Sequence, residues 1–298
     1  MDGATLGILA VRGFVVVTMA SFGLQFTGGQ LVGVLRRPRL VVAILIANLV
    51  LLPLVGVALA IVFDLSDAIA VGLVITACAA GSSYSAKLVE VAGGDIRTGI
   101  SLMFLLAIVT AIVLGPVAAA MIALLGSATG ARVTLDPVPI LVSLVLFQVL
   151  PLLGLMALHR WRPDVAARLR RPAIRLSTVM LVVAFIAVVL DSGDDVLALG
   201  PVPVAAMVAL IVTGLGLGYA LGGEHASRRR ATALITGQRS ASVAYIAVQG
   251  LALPMATATV VAFALVMLAV NLGIAVSTRR LGLHRHDEAM PDPSPVAG

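Results

Sequence analysis

Long apolar stretches, separated by short clusters of proline, glycine and charged residues, make up most of the chain. A helix needs about 20 mainly apolar residues to cross a bilayer. Nine stretches approach or exceed that length, so the pattern predicts an all-α polytopic membrane protein with about nine transmembrane helices. The predicted spans cover residues 5–26, 40–63, 67–92, 98–125, 139–158, 176–190, 202–221, 231–249 and 256–278.

The third predicted span is interrupted by small and polar residues. Its apolar part, residues 67–80, is too short to cross a bilayer, so the span must continue through the segment from Gly81 to Ser85. It then carries Lys87 and Glu90 into or near the hydrocarbon, where a charge costs about 2.5–3.5 kcal/mol. Charges at such a depth indicate a functional use.

The eighth predicted span has a second interruption of the same kind, from Thr236 to Ser240. Discontinuous helices in corresponding places of two halves are typical of transporters built from inverted repeats. We therefore predict one transmembrane domain, residues 1–278, with two crossed discontinuous helices. Its repeats are expected to cover about 5–126 and 139–278, and residues 279–298 are expected to form a disordered cytoplasmic tail.

Composition and charge agree with a membrane location. Sixty per cent of the residues are hydrophobic and only 11% are charged, far from the values of soluble proteins. Arginine-rich loops alternate with aspartate-containing loops, which by the positive-inside rule predicts an outside N-terminus and a cytoplasmic C-terminus. The net charge of +6 therefore reflects topology, and no nucleic-acid binding is predicted. The arginine-rich loop between the fifth and sixth spans is interpreted as a topology determinant that can contact anionic headgroups, without a catalytic role.

The two breaks carry the candidate chemistry. A break in a membrane helix exposes backbone groups that lipid cannot satisfy, so it must face a cavity or another protein segment. The following half-helix begins with free N–H groups and a positive dipole, which favour an anion. The candidate substrate-binding or coupling residues are Ser82, Ser83, Tyr84, Ser85, Lys87, Glu90, Gln238, Arg239, Ser240 and Ser242.

The charged members of this set leave alternatives open. Lys87 and Glu90 share a helix face, so they either neutralise each other and lock two helices, or Lys87 borders the substrate or coupling site. Arg239 has no carboxylate in its own span, so its partner must be Glu90, a helix C-terminus or the substrate. Isolated polar residues in other spans are expected to make interhelical hydrogen bonds: Arg12, Gln25, Asn48, Gln148 and Asn271.

The sequence contains no motif that is typical of an enzyme, a metal site or a disulfide framework. Cys78 is the only cysteine, which excludes a disulfide framework and a cysteine-based metal site. The chain has no Gly-rich phosphate loop with lysine, no HExxH and no GxSxG, so no enzyme is predicted. The four histidines fall in predicted cytoplasmic loops or the tail, so neither a metal site nor a proton relay is expected.

Five short motifs resemble those of a known family. They are Phe22-Gly23-Leu24-Gln25, Arg37-Pro38, Cys78-Ala79-Ala80-Gly81-Ser82-Ser83, Gly93-Gly94-Asp95 and Thr236-Gly237-Gln238. Together they resemble the bile acid:sodium symporter family over about residues 10–280. The resemblance implies a core domain that holds two crossed broken helices, a panel domain, a substrate cavity between them and transport by alternating access.

The resemblance also implies a sodium site, but the matching positions have changed. The Asn that sodium-binding members carry after the first break is Ser85 here, and the Glu of the second break is Ile235. Arg239 stands where the family has a Gln, unless one residue is deleted and Gln238 is that Gln. The hydroxyl ligands of the next helix become Gly99 and Met103, with Thr98 and Ser101 nearby.

These changes remove the only carboxylate of the implied sodium cage. A guanidinium would also repel a cation by about 4 kcal/mol at 4 Å and an effective dielectric of 20. We therefore predict that Arg239, alone or with Lys87, replaces the charge of sodium. No cofactor is expected, and sodium is left open as a coupling ion that the residues do not favour.

The expected function is secondary active transport of a small organic anion across a bacterial inner membrane. The expected partners are that anion and the lipid bilayer, with no obligatory protein partner. A proton-coupled antiporter or exporter on a related inverted-repeat fold, using Glu90, is the first alternative. A membrane sensor without flux is the second, disfavoured because only a short tail follows residue 278.

Overall fold

The computed structural model describes residues 3–25, 37–82, 84–130, 133, 135–249, 251 and 253–280. These residues form eleven helices, and none of them lies in a β-strand. The helices are α1 (Gly3–Gly23), α2 (Pro38–Val62), α3 (Asp67–Cys78), α4 (Ser85–Val91), α5 (Ile96–Thr129), α6 (Pro137–Trp161), α7 (Pro163–Leu197), α8 (Pro201–Leu221), α9 (Ala226–Gly237), α10 (Ala241–Gln249) and α11 (Pro254–Arg280).

The helix ends follow from local sequence. A proline needs no N–H partner and has a helical φ, so it suits the first position of a helix, and five helices begin with one: α2, α6, α7, α8 and α11. Asp95 accepts a hydrogen bond from the Thr98 backbone N–H at 3.0 Å and thereby caps α5. At the other end of α5, Gly130 has a φ of 80°, the left-handed conformation that commonly ends helices.

Helices α2 and α6 each contain one π-helical turn just before a proline. The turn in α2 covers Ala47–Leu51 and precedes Pro53, and the turn in α6 covers Val145–Val149 and precedes Pro151. A proline lacks the N–H of the normal helical bond, so the preceding turn can widen. Each turn carries one fully buried amide side chain, Asn48 in α2 and Gln148 in α6.

Five described helices are long and apolar enough to cross a membrane: Pro38–Val62, Ile96–Thr129, Pro137–Trp161, Pro201–Leu221 and Pro254–Ile274. The described parts Leu9–Gly23 and Asp67–Cys78 are shorter apolar helices. The chain is therefore a polytopic α-helical membrane protein, as predicted. The two predicted interruptions are also present, between α3 and α4 and between α9 and α10.

Two of the predicted arginine-rich loops, between the fifth and sixth spans and between the seventh and eighth, are largely helical. Between residues 158 and 176 the chain turns only at Trp161–Pro163, and α7 then includes Arg168, Arg170, Arg171 and Arg175. The three arginines from 228 to 230 likewise belong to the start of α9. The prediction is wrong because hydropathy marks where a helix leaves the hydrocarbon, not where it ends. Arginine, alanine and leucine are good helix formers and continue the helix into water.

Helix packing around α3 and α9 depends on very small side chains. Residues Ala70–Cys78 of α3 are all buried, against α2, α5, α10 and α11. Helices α8 and α9 approach so closely that side chains on Gly214 and Gly218 of α8, and on Gly222 directly after it, would overlap the α9 backbone. A Cβ on Gly218 would lie 2.3 Å from the Thr232 carbonyl oxygen. A stripe of small residues is a common way for membrane helices to pack closely.

We therefore expect Gly218→Ala to destabilise the protein by about 1–3 kcal/mol, because the added methyl separates α8 from α9. Thermal unfolding of the purified protein in detergent measures the change. Gly216→Ala is the matched control, since a Cβ there meets nothing within 4 Å. Alanine is the better helix former, so that variant should be as stable as wild type or more so. Equal unfolding temperatures for the two variants would contradict the close approach.

Candidate functional site

The first break begins where α3 ends at Cys78. The Ala80 N–H donates to the Cys78 carbonyl at 3.1 Å, which forms a tight three-residue turn at Ala79. Gly81 then has a φ of 81°, and a Cβ there would lie 2.5 Å from the Ala107 backbone nitrogen of α5. Only glycine satisfies both the conformation and the space. The sequence therefore breaks the helix at Gly81 and packs the break against α5.

The second break contacts the first directly. Helix α9 ends at Gly237, Gln238 has an extended conformation, and α10 begins at Ala241. Within this break, the Ser240 N–H donates to the Ala79 carbonyl at 2.7 Å. A carbonyl at the end of α3, which has no partner in its own helix, is thus paired by the other broken helix.

Arg239 lies at this contact and is 2% exposed. Its Nη1 donates to the Ala77 carbonyl at 3.2 Å, and its Nη2 donates to Asn48 Oδ1 at 2.5 Å and to the Thr236 carbonyl. The two carbonyls belong to the last turns of α3 and α9, the negative ends of the helix dipoles. In the described chain no carboxylate lies within ion-pair distance of this guanidinium. Of the three partners considered for Arg239, a helix C-terminus is therefore the one observed, with two helices contributing.

Two residues outside the candidate set complete the surroundings of Arg239. Asn48 holds its side chain in place by donating to the Ile44 carbonyl at 2.8 Å and to Thr236 Oγ1 at 3.4 Å. The Met267 sulfur of α11 accepts from the Arg239 N–H at 3.1 Å. The sequence predicts only an interhelical hydrogen bond for Asn48. Its isolated amide in an apolar span before Pro53 was a signal of function, but nothing in the sequence indicated which partner it has.

The remaining candidates of the first break are spread over buried and exposed positions. Ser82 and Ser85 are buried, and the Ser85 hydroxyl donates to the Ser82 carbonyl at 2.5 Å. Tyr84 is 38% exposed, and Ser83 lies outside the described residues. In the second break, Ser240 is buried beside Arg239 and Ser242 is partly buried.

Lys87 and Glu90 form an ion pair with each other. Lys87 Nζ lies 2.6 Å from Glu90 Oε2, and the two side chains are 64% and 53% exposed. Neither contacts Arg239, whose hydrogen-bond partners are all buried. Glu90 is therefore not the partner of Arg239. The pair neutralises both charges within α4 rather than locking two helices, and a position of Lys87 beside the substrate or coupling site stays a prediction.

Asp95 joins the first broken helix to the second at the far end of α4. Its backbone N–H donates to the Ser227 carbonyl of α9 at 2.9 Å, and its carboxylate accepts from both the N–H and the hydroxyl of Thr98. Burial acts to raise the pKa of Asp95. The Thr98 hydrogen bonds and the charges of Arg37 and Arg228 outweigh burial, and the pKa lies below its ordinary value. The carboxylate thus remains charged at neutral pH and keeps its capping bonds.

A second polar region lies at the depth of the breaks, between α1, α5 and α6. Gln148 Nε2 donates at 3.0 Å to the carbonyl of Ala107, the residue against which Gly81 packs. Arg12 lies over the ring of Phe147, 5.1 Å from its centroid, so Arg12 shares this depth. Three buried polar atoms here have no hydrogen-bond partner within the described protein: Arg12 Nε, Gln148 Oε1 and Thr110 Oγ1. Gln238 Oε1 and Nε2 in the second break are likewise unpaired.

The described residues contain no group of three or more His, Cys, Asp or Glu side chains that could hold a metal ion. The carbonyl and amide oxygens at the contact between the breaks are hydrogen-bonded by the Arg239 guanidinium. The contact between the breaks thus has a fixed positive charge supplied by the chain itself.

Five described apolar helices of membrane-spanning length, together with two broken helices that contact each other at their breaks, define the chain as a polytopic membrane protein with discontinuous helices. The family model described as Sodium Bile acid symporter family matches residues 14–199, which is more than half of the chain. The chain therefore belongs to this family of transporters, as the motifs predicted. No curated protein matches the chain. The match covers the first break and ends before Thr236, so the resemblance of the second break remains a prediction.

We expect Asn48→Leu to destabilise the protein by about 1–3 kcal/mol, because a buried guanidinium loses an acceptor while the volume is nearly kept. Asn48→Asp retains the acceptor oxygen and should lose less stability. Gln25→Leu is the control, since within the described residues the Gln25 amide donates only to the Ser21 carbonyl. Unfolding temperatures in detergent give the comparison. Equal losses for Asn48→Leu and Gln25→Leu would contradict a specific role for Asn48.

Proposed function

We propose that the protein is a secondary active transporter that moves a small organic anion by alternating access, without sodium coupling. The proposed architecture has about nine spans in an inverted repeat, in a bacterial inner membrane with the N-terminus outside. Helices α1, α6 and α7 would form the panel domain, because they pack on one another. The two broken helices and their neighbours α2, α5, α8 and α11 would form the core domain.

The observation that carries the proposal is the set of oxygens around Arg239. A sodium ion needs a cage of oxygen ligands, and at the contact between the breaks two carbonyls and the Asn48 amide already bind the guanidinium. The carboxylate that the family resemblance implies is replaced by Ile235. A sodium ion 4 Å from the guanidinium would be repelled by about 4 kcal/mol at an effective dielectric of 20. These residues do not fit a sodium ion, and Arg239 is proposed to replace its charge permanently.

The residue whose positive charge binds the anionic substrate is proposed to be Arg12. Because Arg239 has its bonds filled by protein oxygens, it has little capacity left for an anion. Arg12 precedes Leu24, at the end of α1, by twelve residues, which is about 18 Å along a helix. This distance places Arg12 near the middle of a hydrocarbon core about 30 Å thick. An ionisable residue at that depth is a functional candidate by default. Its Nε–H and the Thr110 hydroxyl are hydrogen-bond donors without a partner in the described chain, so they are free to bind an anion between α1, α5 and α6.

Proton coupling through Glu90 is the less favoured alternative. The Glu90 carboxylate is exposed and paired with Lys87 in the same helical turn, which suits a surface ion pair better than a buried proton carrier. The second alternative was a membrane sensor that binds a ligand without transporting it, and no feature of the described residues favours it.

Transport by protein in liposomes should not change when sodium is replaced by choline, because the charge of Arg239 is fixed. The labelled substrate for this measurement is the organic anion that most raises the unfolding temperature of purified protein in a screen, since a bound ligand stabilises by mass action. A strict sodium requirement would contradict the proposal. So would full transport by Arg239→Gln in protein that remains folded, whereas Arg239→Lys should retain part of the activity.

Arg12→Ala should weaken substrate binding and transport by at least about tenfold, because it removes a charge-assisted hydrogen bond in a low-dielectric site. Arg12→Lys should recover part of both. Arg39→Ala, at an exposed arginine near the start of α2, is the control and should behave as wild type. Unchanged affinity and rate in Arg12→Ala would refute this role of Arg12, but they would not contradict the proposal that the protein transports an anion.

A further inference from the structure

A cavity of about 610 Å³ opens where α1 ends and α6 is followed by α7. Its polar lining is formed by His159, Arg170 and Arg171. Its apolar lining is formed by Leu24, Pro163, Ala167 and Ile174. The cavity is therefore amphipathic, with two arginines beside a hydrocarbon wall.

The cavity lies at the level of the membrane surface. Trp161, the only tryptophan of the chain, is 76% exposed at the junction of α6 and α7, and tryptophan is enriched at the headgroup level of membrane proteins. Along α7, Arg175 is the last basic residue before an apolar stretch that begins at Leu176. Ile174 of the cavity is thus at the boundary between the basic and the apolar part of α7.

Its two arginines are available to an anion. Neither Arg170 nor Arg171 makes an ion pair within the described chain. Guanidinium groups bind phosphate through paired hydrogen bonds, and they are less strongly hydrated than lysine, which favours them at such sites. Asp164, at the start of α7, is exposed and does not line the cavity.

His159 fixes the wall of the cavity that α1 and α6 share. Its Nδ1 lies 2.7 Å from the Leu24 carbonyl oxygen. A carbonyl can only accept, so Nδ1 carries the hydrogen and the ring is held in one orientation. This bond joins the end of α1 to the end of α6 directly at the cavity.

We propose that this cavity binds the headgroup of an anionic phospholipid. Arg170 and Arg171 bind its phosphate, and Leu24, Ala167 and Ile174 contact the glycerol and the first part of the acyl chains. The apolar wall and the depth at the membrane surface favour a lipid over a free phosphate. A basic pocket between membrane helices is suited to lipid headgroups, and the bound lipid would hold α1, α6 and α7 together. The site is separate from the contact between the breaks and does not depend on the proposed substrate.

Native mass spectrometry of the purified protein, titrated with phosphatidylglycerol or phosphatidylcholine, tests this site. We expect saturable binding of phosphatidylglycerol, at least about tenfold tighter than that of phosphatidylcholine, because only the former has net charge. The double substitution Arg170→Gln/Arg171→Gln should weaken phosphatidylglycerol binding at least about tenfold. Arg168→Gln, on the same helix but outside the cavity, is the control and should bind as wild type.

Two further measurements distinguish lipid binding in the cavity from general electrostatic attraction of the lipid to a basic surface. Ala167→Phe keeps both arginines and fills the apolar wall, so it should also lose phosphatidylglycerol. Inorganic phosphate, or glycerol phosphate without acyl chains, at the same concentration should not compete. Unchanged binding in Ala167→Phe would mean attraction to a basic surface, and effective competition by inorganic phosphate would mean a free-phosphate site. Either result, or unchanged binding in the double variant, would overturn the proposal.

Discussion

The guanidinium of Arg239 lies inside the protein with backbone and amide oxygens as its only polar partners in the described chain. An isolated buried charge costs several kcal/mol even after the protein relaxes around it. The cost is offset because α3 and α9 both end there, with unpaired carbonyls and negative dipole ends directed at one place. The breaks in turn need the arginine, since in a membrane their free carbonyls could not be left without donors. Charge and broken helices therefore stabilise each other.

The close packing of the core follows from the same constraint. Two carbonyls of different helices can share one guanidinium only if both helix ends are held in place. Gly81 packs the first break closely on α5, and the glycines of α8 pack that helix closely on α9. Asn48 accepts a hydrogen bond from the same guanidinium and belongs to the π-helical turn of α2, so a third helix contributes an oxygen from a local irregularity.

Much of this arrangement could be predicted from the sequence, because the signals are local. A glycine followed by serines within an apolar stretch predicts a break in the helix there, and an arginine in a second break has to find a partner. The partner itself could not be predicted, since Asn48 and Arg239 are 191 positions apart and either could have bonded elsewhere. The boundaries of α7 and α9 were misjudged for a different reason. Hydropathy reports the edge of the hydrocarbon, and arginine-rich helices continue past it.

The chain belongs to a family named for sodium symport, but the carbonyl and amide oxygens at the contact between its breaks bind its own guanidinium. The central claim is therefore that this protein has an internal cation in place of a bound one. Equilibrium binding of radioactive sodium to the purified wild-type protein tests it most directly, with Arg239→Gln measured in parallel. We predict no saturable sodium binding to the wild type at any concentration that leaves the protein folded. Saturable sodium binding to the wild type would contradict the claim.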